Sequence, residues 1–369
     1  MTGLLYRLSR RAAIGRIAVP PFYTGRVKRP TIADIASQAG VTKAAVSFAL
    51  NGQPGVSAAT RERILAIARE VGFQPSSAAR ALSDGRAGAF GLVIDRPART
   101  LGVEPFFVQL ISGIQAVLSA DRTPLLFTMA EDPAAEIALY RSWWAEGRVD
   151  GVFLVDLQLR DRRVPLLRDL RMPTVVFGSP RGSGTLPAVW QDDDAAMAKI
   201  VAYLAGLGHR RLARVGGYSR YWHSKLRADA LRKSAAVAGV AAESVECDYS
   251  SELGADATRR LLLGAAPPTA ILYDNDLMAL SGLAVAQQLG IEVPAELSII
   301  AWDDSALCEL VHPAITALCR DIAAIGAQGA RLLSRLAAGE PVTNVAEPVP
   351  DLSERGSTGP APAASLALA

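Results

Sequence analysis

The sequence predicts a small all-α head followed by an α/β body of two doubly wound parallel-sheet lobes. Three observations carry this. Residues 31–72 place apolar side chains at helical spacing; from residue 89 onward short apolar runs alternate with helical stretches; and the alternation pauses once, around Pro187–Gln191, between two similar halves. Strand–helix alternation at such spacing builds parallel sheets with right-handed crossovers. A chain of 369 residues is also too long for one small core, so two or three folding units are expected.

In the head, Ile32, Ile35, Ala36 and Ala39 fall at i, i+3, i+4, i+7, and Ile64, Ile67, Ala68 and Val71 repeat the pattern. Thr31 followed by Asp34 is a capping-box-like start, and Gly72 is a stop. Gly40 lies in a tight turn between two helical patterns, and Thr42 can cap the second of them. That helix buries Val46, Ala49 and Leu50, and presents Lys43 and Ala44 in its first turn, with Ser47 and Phe48 one turn later. A recognition helix aims its first turns at major-groove edges with this spacing. Lys43 suits a guanine acceptor or a phosphate, whereas Ala44 and Phe48 offer apolar contact, for instance to a thymine methyl. The pattern alone fits a helix-turn-helix and also a plain three-helix module.

A polar, Ala-rich bridge beginning at Pro75 leads into the body. There the strands FGLVID, TPLLFTM, GVFLVD and TVVFG alternate with helical stretches at 107–120, 133–146 and 162–170. After the pause come 192–206, LARVGG, 224–238, SVECDY, 252–263, TAILYD, 276–289 and LSIIAWDD. Two such lobes bind a ligand in the cleft between them, at the carboxyl ends of their strands. The final twenty-odd residues are rich in Pro, Ser and Ala, and are expected to run from an edge strand into a disordered tail.

Charge is unevenly placed. Residues 1–86 carry thirteen Lys/Arg against four acids, a local net charge of +9, which leaves the remainder at −6 of a total of +3. A basic front end suggests a polyanion partner; a solvated basic face is the alternative. Cys247, Cys308 and Cys319 lie in no metal-ligand or CxxC spacing, which fits free thiols in a reducing cytoplasm. No run of about 18 apolar residues marks a membrane span. Residues 1–27 loosely resemble a transit peptide, but a basic disordered extension, or a start codon placed too early, is the expectation.

The chain resembles the lactose-repressor (LacI/GalR) family of bacterial transcription regulators. The resemblance lies in TIADIASQAGVTKAAVS from Thr31, LNGQPGVS from Leu50, TRER from Thr60 and GFQPSSAARAL from Gly72. In the body it continues through PFF at 105–107, GHRR at 208–211, RADALR from Arg227, NDLMA from Asn275 and AWDD from Ala301, covering about residues 28–358. It implies a helix-turn-helix DNA-binding domain at 28–74, a hinge at 75–87 and a periplasmic-binding-protein-like body at 88–358. Lobe 1 would take about 88–189 and 317–345, lobe 2 about 190–316 and 346–358, with 359–369 a disordered tail. The implied DNA-facing set is Thr31, Thr42, Lys43, Ala44, Ser47, Phe48 and Asn51, joined by Ser76, Ala78, Ala79, Arg80 and Leu82 of a hinge helix. Leu82 corresponds to a minor-groove wedge, whose cost of unstacking a base step is repaid by added contacts. Family members commonly have Arg where this chain has Phe48, so a different operator is expected under that turn.

By the same resemblance Phe107, Asp192, Arg227, Asn275 and Asp303 face a small-molecule effector, with Trp222 and Trp302 near enough to stack on a sugar ring. Carboxylates, amides and guanidinium groups suit sugar hydroxyls, and aromatics cover the apolar ring face. Trp190 and Tyr221 are further stacking candidates, although for any one of these aromatics alone core burial is the simpler explanation. Asp193 and Asp194 are expected as a solvated helix start, and His209 as a structural group. The loop RTLGVE at 99–104 departs from the Asn common in the family, which leaves the first-lobe side of the pocket least defined. The expected function is a homodimeric, cytoplasmic, sequence-specific repressor controlled by a sugar, without cofactor, metal or membrane. The alternatives are a non-sugar effector or corepressor, and a solute-binding protein. An enzyme is disfavoured: GxSxG, HExxH, P-loop and GxGxxG motifs are missing.

Overall fold

A computed structural model describes residues 30–73, 86–96 and 102–363. The chain divides into a unit ending at Ala79 and a second from Arg80 onward. The expected extension at 1–27 and the hinge residues Ser76, Ala78, Ala79, Arg80 and Leu82 lie outside the described residues.

The head contains α1 (Ile32–Ala39), α2 (Lys43–Leu50) and α3 (Ala58–Glu70). Thr31 and Asp34 form a reciprocal capping box at α1, and Gly40 ends that helix in the left-handed region at φ 63°. The Thr42 hydroxyl accepts from Ala45 N at 3.2 Å and so starts α2; Ser57 caps α3 in the same way. The helices close over Ile35, Ala36, Ala39, Val46, Ala49, Ile64 and Ala68.

The first lobe runs β1 (Phe90–Ile94), α4 (Pro105–Leu118), β2 (Leu125–Met129), α5 (Pro133–Ala145), β3 (Gly151–Leu154), α6 (Arg163–Asp169), β4 (Thr174–Phe177), α7 (Pro180–Ser183) and β5 (Ala188–Trp190). The second follows with α8 (Asp193–Gly206), β6 (Arg211–Gly216), α9 (Trp222–Ala238), β7 (Ala241–Glu246), α10 (Ser251–Leu262), β8 (Ala270–Tyr273), α11 (Asp276–Gln288), β9 (Ser298–Ala301), α12 (Ala306–Leu310) and β10 (Thr316–Cys319). The chain then returns through α13 (Ile322–Ala337), β11 (Val345–Ala346) and β12 (Asp351–Ser353). The two sheets have matching orders, β11-β5-β4-β3-β1-β2 and β12-β10-β9-β8-β6-β7. Pairing is parallel throughout, except that β12 runs antiparallel to β10. Each sheet therefore has a topological switch point, between β1 and β3 and between β6 and β8, where ligands bind at the carboxyl ends of strands.

The strands β1, β3 and β4 are buried along their whole length, because helices cover both faces; their uninterrupted apolar sequences follow from this. One face of the first sheet packs Leu92, Leu110, Phe153 and Leu333, and the other packs Val93, Tyr140, Trp143 and Val176. The second lobe is filled likewise.

Four sequence expectations shift. The pause at Pro187–Gln191 contains the short strand β5. The strand expected at SVECDY begins earlier, at Ala241. β10 belongs to the second sheet, so the return to the first lobe starts after Cys319 rather than at residue 317. Finally, the first residues of the expected tail are stitched to the second lobe. Gly359 N donates to Ser298 Oγ at 3.2 Å and Ala361 N to Leu207 O at 2.8 Å.

In the first lobe α4 and α13 meet with almost no space between their backbones. A Cβ on Gly113 would strike the Ala323 carbonyl, and one on Gly326 the Leu110 carbonyl. By contrast, nothing lies within 4 Å of a Cβ placed on Gly206, in the last turn of α8. Gly113→Ala should therefore destabilise the body by about 2 kcal/mol or more through overpacking, whereas Gly206→Ala should be neutral or stabilise it by up to about 1 kcal/mol. Thermal unfolding followed by circular dichroism checks the pair; equal melting temperatures for the two variants would show that α4 and α13 can separate freely.

Candidate functional site

Two surfaces carry chemistry. In the head, α2 buries Val46 and Ala49, leaving Thr42, Lys43, Ala44, Phe48 and Asn51 exposed and Ser47 half-buried. Thr31 is exposed at the start of α1. Phe48 is 39% exposed, its ring lying against Gly55, an unusual outlay of apolar surface on a polar module.

In the body, the sheet switch points are filled by buried ion pairs. At the end of β1, Arg96 Nε donates to Asp156 Oδ2, just beyond β3, at 2.9 Å. Asp156 sits in the left-handed region at φ 50°. Its carbonyl is held by Arg163, which also binds Glu136 and Asp161. In the second lobe Arg214 of β6 binds Asp274, just beyond β8, and Asp274 also accepts from Gly217 N at 3.1 Å. Burial raises the cost of these carboxylates' charge, yet Arg96 holds Asp156 below its ordinary pKa, and Arg214 and Arg227 do the same for Asp274.

Between the lobes lies a cavity of about 930 Å³ including its mouth. Arg227 of α9 faces it, with Asp193 at 3.7 Å and Asp274 at 3.9 Å. The Arg227 guanidinium lies 4.1 Å over the Trp302 ring, and its Nε–H has no hydrogen-bond partner. Arg320, just past β10, bonds Asp303 and also Gln191, at the end of β5. The Arg96 guanidinium reaches from the first lobe to within 4.2 Å of the Tyr249 ring in the second. Two backbone hydrogen bonds of 2.8 Å, Leu159 N to Arg220 O and Trp222 N to Leu157 O, seam the lobes along one side. Trp222 closes that seam by packing against Gly182 of the first lobe.

Of the residues expected at the effector, Phe107, Trp222, Arg227 and Asp303 line the cavity; Asp192, Asn275 and Trp302 do not. Asp192 and Asn275 are helix caps whose side chains fold back onto Ala195 N and Met278 N. Trp302 is wholly buried behind Arg227. Asp193, expected as a solvated helix start, lines the cavity in place of Asp192, and burial raises its pKa against the pull of Arg227. Trp190 is in the lining, whereas Tyr221 lies beneath it. His223, which the sequence offered as a possible ligand contact, is in the lining, whereas sequence reasoning missed Arg96, Glu104, Asp156, Tyr249, Asp274 and Arg320. A usable signal was a charged residue one or two positions past an apolar strand, as at Arg96, Asp156 and Asp274. His209 is a structural group: fully buried, it bonds Thr269 and Ser298 at 2.9 and 3.0 Å. Among the described residues no cluster of side chains could hold a metal, and no helix is long and apolar enough to cross a membrane.

A helix-turn-helix head ahead of a two-lobed, periplasmic-binding-protein-like body defines a DNA-binding transcriptional regulator. Residues 31–76 match the model of bacterial regulatory proteins of the lacI family, and residues 201–358 that of the periplasmic binding protein-like domain. The HTH-type transcriptional regulator MalR of Streptomyces coelicolor is 32% identical over 345 residues, spanning 90% of this chain and 97% of that protein. The chain belongs to the LacI family. The structure of a transcriptional regulator CelR–cellobiose complex is 27% identical with a TM-score of 0.68, covering 89% of this chain and all of that one. The fold also matches the lac repressor dimer bound to operator and the anti-inducer ONPF, with a TM-score of 0.78 at 24% identity over 90% of this chain and 100% of that one. The family is one of regulators, not enzymes.

Burial is the largest influence on His223, assisted by the charge of Arg227, and it lowers this imidazole to about 3. The folded protein keeps it neutral, while in the unfolded chain it titrates near 6.5. Its contribution to stability is thus complete above pH 6.5 and is lost progressively as pH falls toward 3. On acidification from neutral pH to about 4.5, wild type should lose more melting temperature than His223→Gln; parallel losses would remove His223 from the acid response.

Proposed function

We propose that the protein is a homodimeric repressor whose affinity for a palindromic operator is set by a neutral, polyhydroxylated effector, a sugar, bound between the lobes. The charge balance of the cavity carries this proposal. Arg96, Arg227 and Arg320 face Asp156, Asp193, Asp274 and Asp303, and Arg214 supplies the fourth cation from behind. Because the site neutralises itself, an anionic ligand finds no spare cation. Hydroxyl groups, in contrast, can share donors and acceptors already fixed in place. Trp190 and Trp222, both half-buried in the lining, supply aromatic surface of the kind that covers the apolar face of a sugar ring. A relative solved with cellobiose supports the ligand class, and one solved as an operator-bound dimer supports the assembly.

In this mechanism the effector binds one lobe arrangement better than the other and so shifts the operator-binding equilibrium. Linkage requires a sugar that weakens operator binding to bind more weakly itself when operator is present. Thr31, Thr42, Lys43, Ala44, Ser47, Phe48 and Asn51 form the proposed DNA-facing set, and the hinge residues Ser76–Leu82 join it on the strength of the sequence resemblance.

Titrating neutral mono- and disaccharides against operator binding at one stated salt concentration tests the effector. At least one should move the midpoint, and none doing so, while a phosphorylated or purine ligand does, overturns the sugar. Arg227→Lys keeps the charge facing Asp193 and Asp274 but removes the free Nε–H. It should raise the effector concentration needed by about tenfold or more, with a melting temperature close to wild type. At the head, Lys43→Ala should reduce the slope of log affinity against log salt by about 1 if Lys43 contacts a phosphate. Phe48→Arg should change which operator variants bind best under the second turn of α2; identical preferences would take Phe48 out of the reading surface.

A further inference from the structure

Glu104 closes the first-lobe end of the cavity and has no role in the charge balance above. It stands at the N-cap of α4, immediately before Pro105, yet makes no capping hydrogen bond. Its side chain turns instead into the cleft, where the residue is 5% exposed and Oε2 has no hydrogen-bond partner. The groups facing it come from both lobes: Arg96 beyond β1, Asp156 beyond β3, Asn275 at the head of α11 and Asp303 beyond β9. The one cation among them is already committed, since Arg96 Nε is bonded to Asp156 and its guanidinium is stacked over Tyr249. An ionised Glu104 would therefore meet two like charges, one spoken-for cation, a single amide partner in Asn275 and no water-rich surroundings. Burial is the largest influence on its acidity, only partly offset by Arg96 and by a hydrogen bond with Asn275 and reinforced by Asp156 and Asp303, and pushes the carboxyl up to about 7.

We propose that Glu104 is a specificity-determining residue that binds the effector as a neutral carboxylic acid, donating its O–H to an acceptor oxygen of the ligand. This deepens the neutral-sugar proposal: the ligand must place a ring, glycosidic or hydroxyl oxygen at the first-lobe end of the cleft. It also makes effector binding proton-linked. The liganded site keeps the proton, so affinity is constant below the carboxyl's pKa and falls as pH rises past it. Burial also raises Asp193 in the cavity and Asp276 beside Asn275, so comparison with Glu104→Gln isolates the part of the dependence that belongs to Glu104. Asp156 is held ionised by Arg96, and the arginines do not titrate in this range.

Two measurements on the full-length protein test the proposal. The first needs no ligand. The infrared carbonyl stretch of a protonated carboxylic acid should be present at mildly acidic pH, decay through about pH 7, and be missing from that titration in Glu104→Gln. A wild-type titration identical to that of Glu104→Gln would overturn the proposal, whatever the effector proves to be. The second uses calorimetry with cellobiose and with glucosamine as probes, across the same pH range. Cellobiose affinity should fall about tenfold between one pH unit below and one above the carboxyl's pKa, with Glu104→Gln flattening the profile. Affinity that rises with pH, for glucosamine above all, would instead make Glu104 an ionised partner for an ammonium and overturn the proposal. If neither probe binds, the sugar proposal loses support while the infrared titration still decides the state of Glu104.

Discussion

The body depends on two buried ion pairs, Arg96–Asp156 and Arg214–Asp274, one near the switch point of each of two similarly ordered sheets. A parallel sheet opens at its switch point because neighbouring crossovers leave on opposite faces. That opening concentrates polar backbone at the edge of an apolar core. In each lobe a guanidinium and a carboxylate fill it. Desolvating both charges costs as much as their attraction returns, so such pairs add little net stability. Their effect is positional: removing either partner strands a buried charge, and the strand ends are held to one arrangement. From this arrangement follow the left-handed backbone at Asp156, the acceptor that Asp274 offers Arg227, and the stack of Arg96 on Tyr249 across the cleft.

Much of this was legible in the chain. The strands could be read because both faces of each sheet are covered, which leaves runs such as FGLVI and GVFL without a polar residue. Strand β5 was not legible, since three residues next to a proline carry no periodicity. At the site, the difference between Asp192 and Asp193 is instructive. The acidic run points to the start of α8, but only one of the acids can be its cap. An N-cap side chain must fold back onto the first free amides, which turns Asp192 away and leaves Asp193 to meet Arg227. The Asn275 Oδ1 is committed to the cap of α11 by the same geometry. Trp302 was legible as an aromatic near the site, but its depth depends on Arg227 lying over it, a tertiary fact. Arg96, Tyr249 and Glu104 come together only when the lobes face each other, and no local pattern encodes that.

The seam between the lobes sets how strongly a ligand must act. Its described contacts include two backbone hydrogen bonds, the Trp222 contact with Gly182, the Arg96 stack on Tyr249, the Arg320–Gln191 hydrogen bond and the largely exposed Arg181–Asp194 ion pair. An intramolecular hydrogen bond contributes about 1 kcal/mol net, and a cation–π stack about as much or somewhat more when desolvated. The lobes are therefore held by a few kcal/mol rather than by a continuous core. Such a difference is within reach of a small ligand, since carrying a two-state equilibrium from 1:99 to 99:1 takes about 5.5 kcal/mol of differential affinity. The free Arg227 Nε–H and the unpartnered Glu104 oxygen stand on opposite lobes. A ligand that satisfies both at once can do so only when the lobes are apposed, and both groups are already desolvated before it arrives. The energy it gains from them is thus differential between lobe arrangements, which is the condition for binding to change conformation.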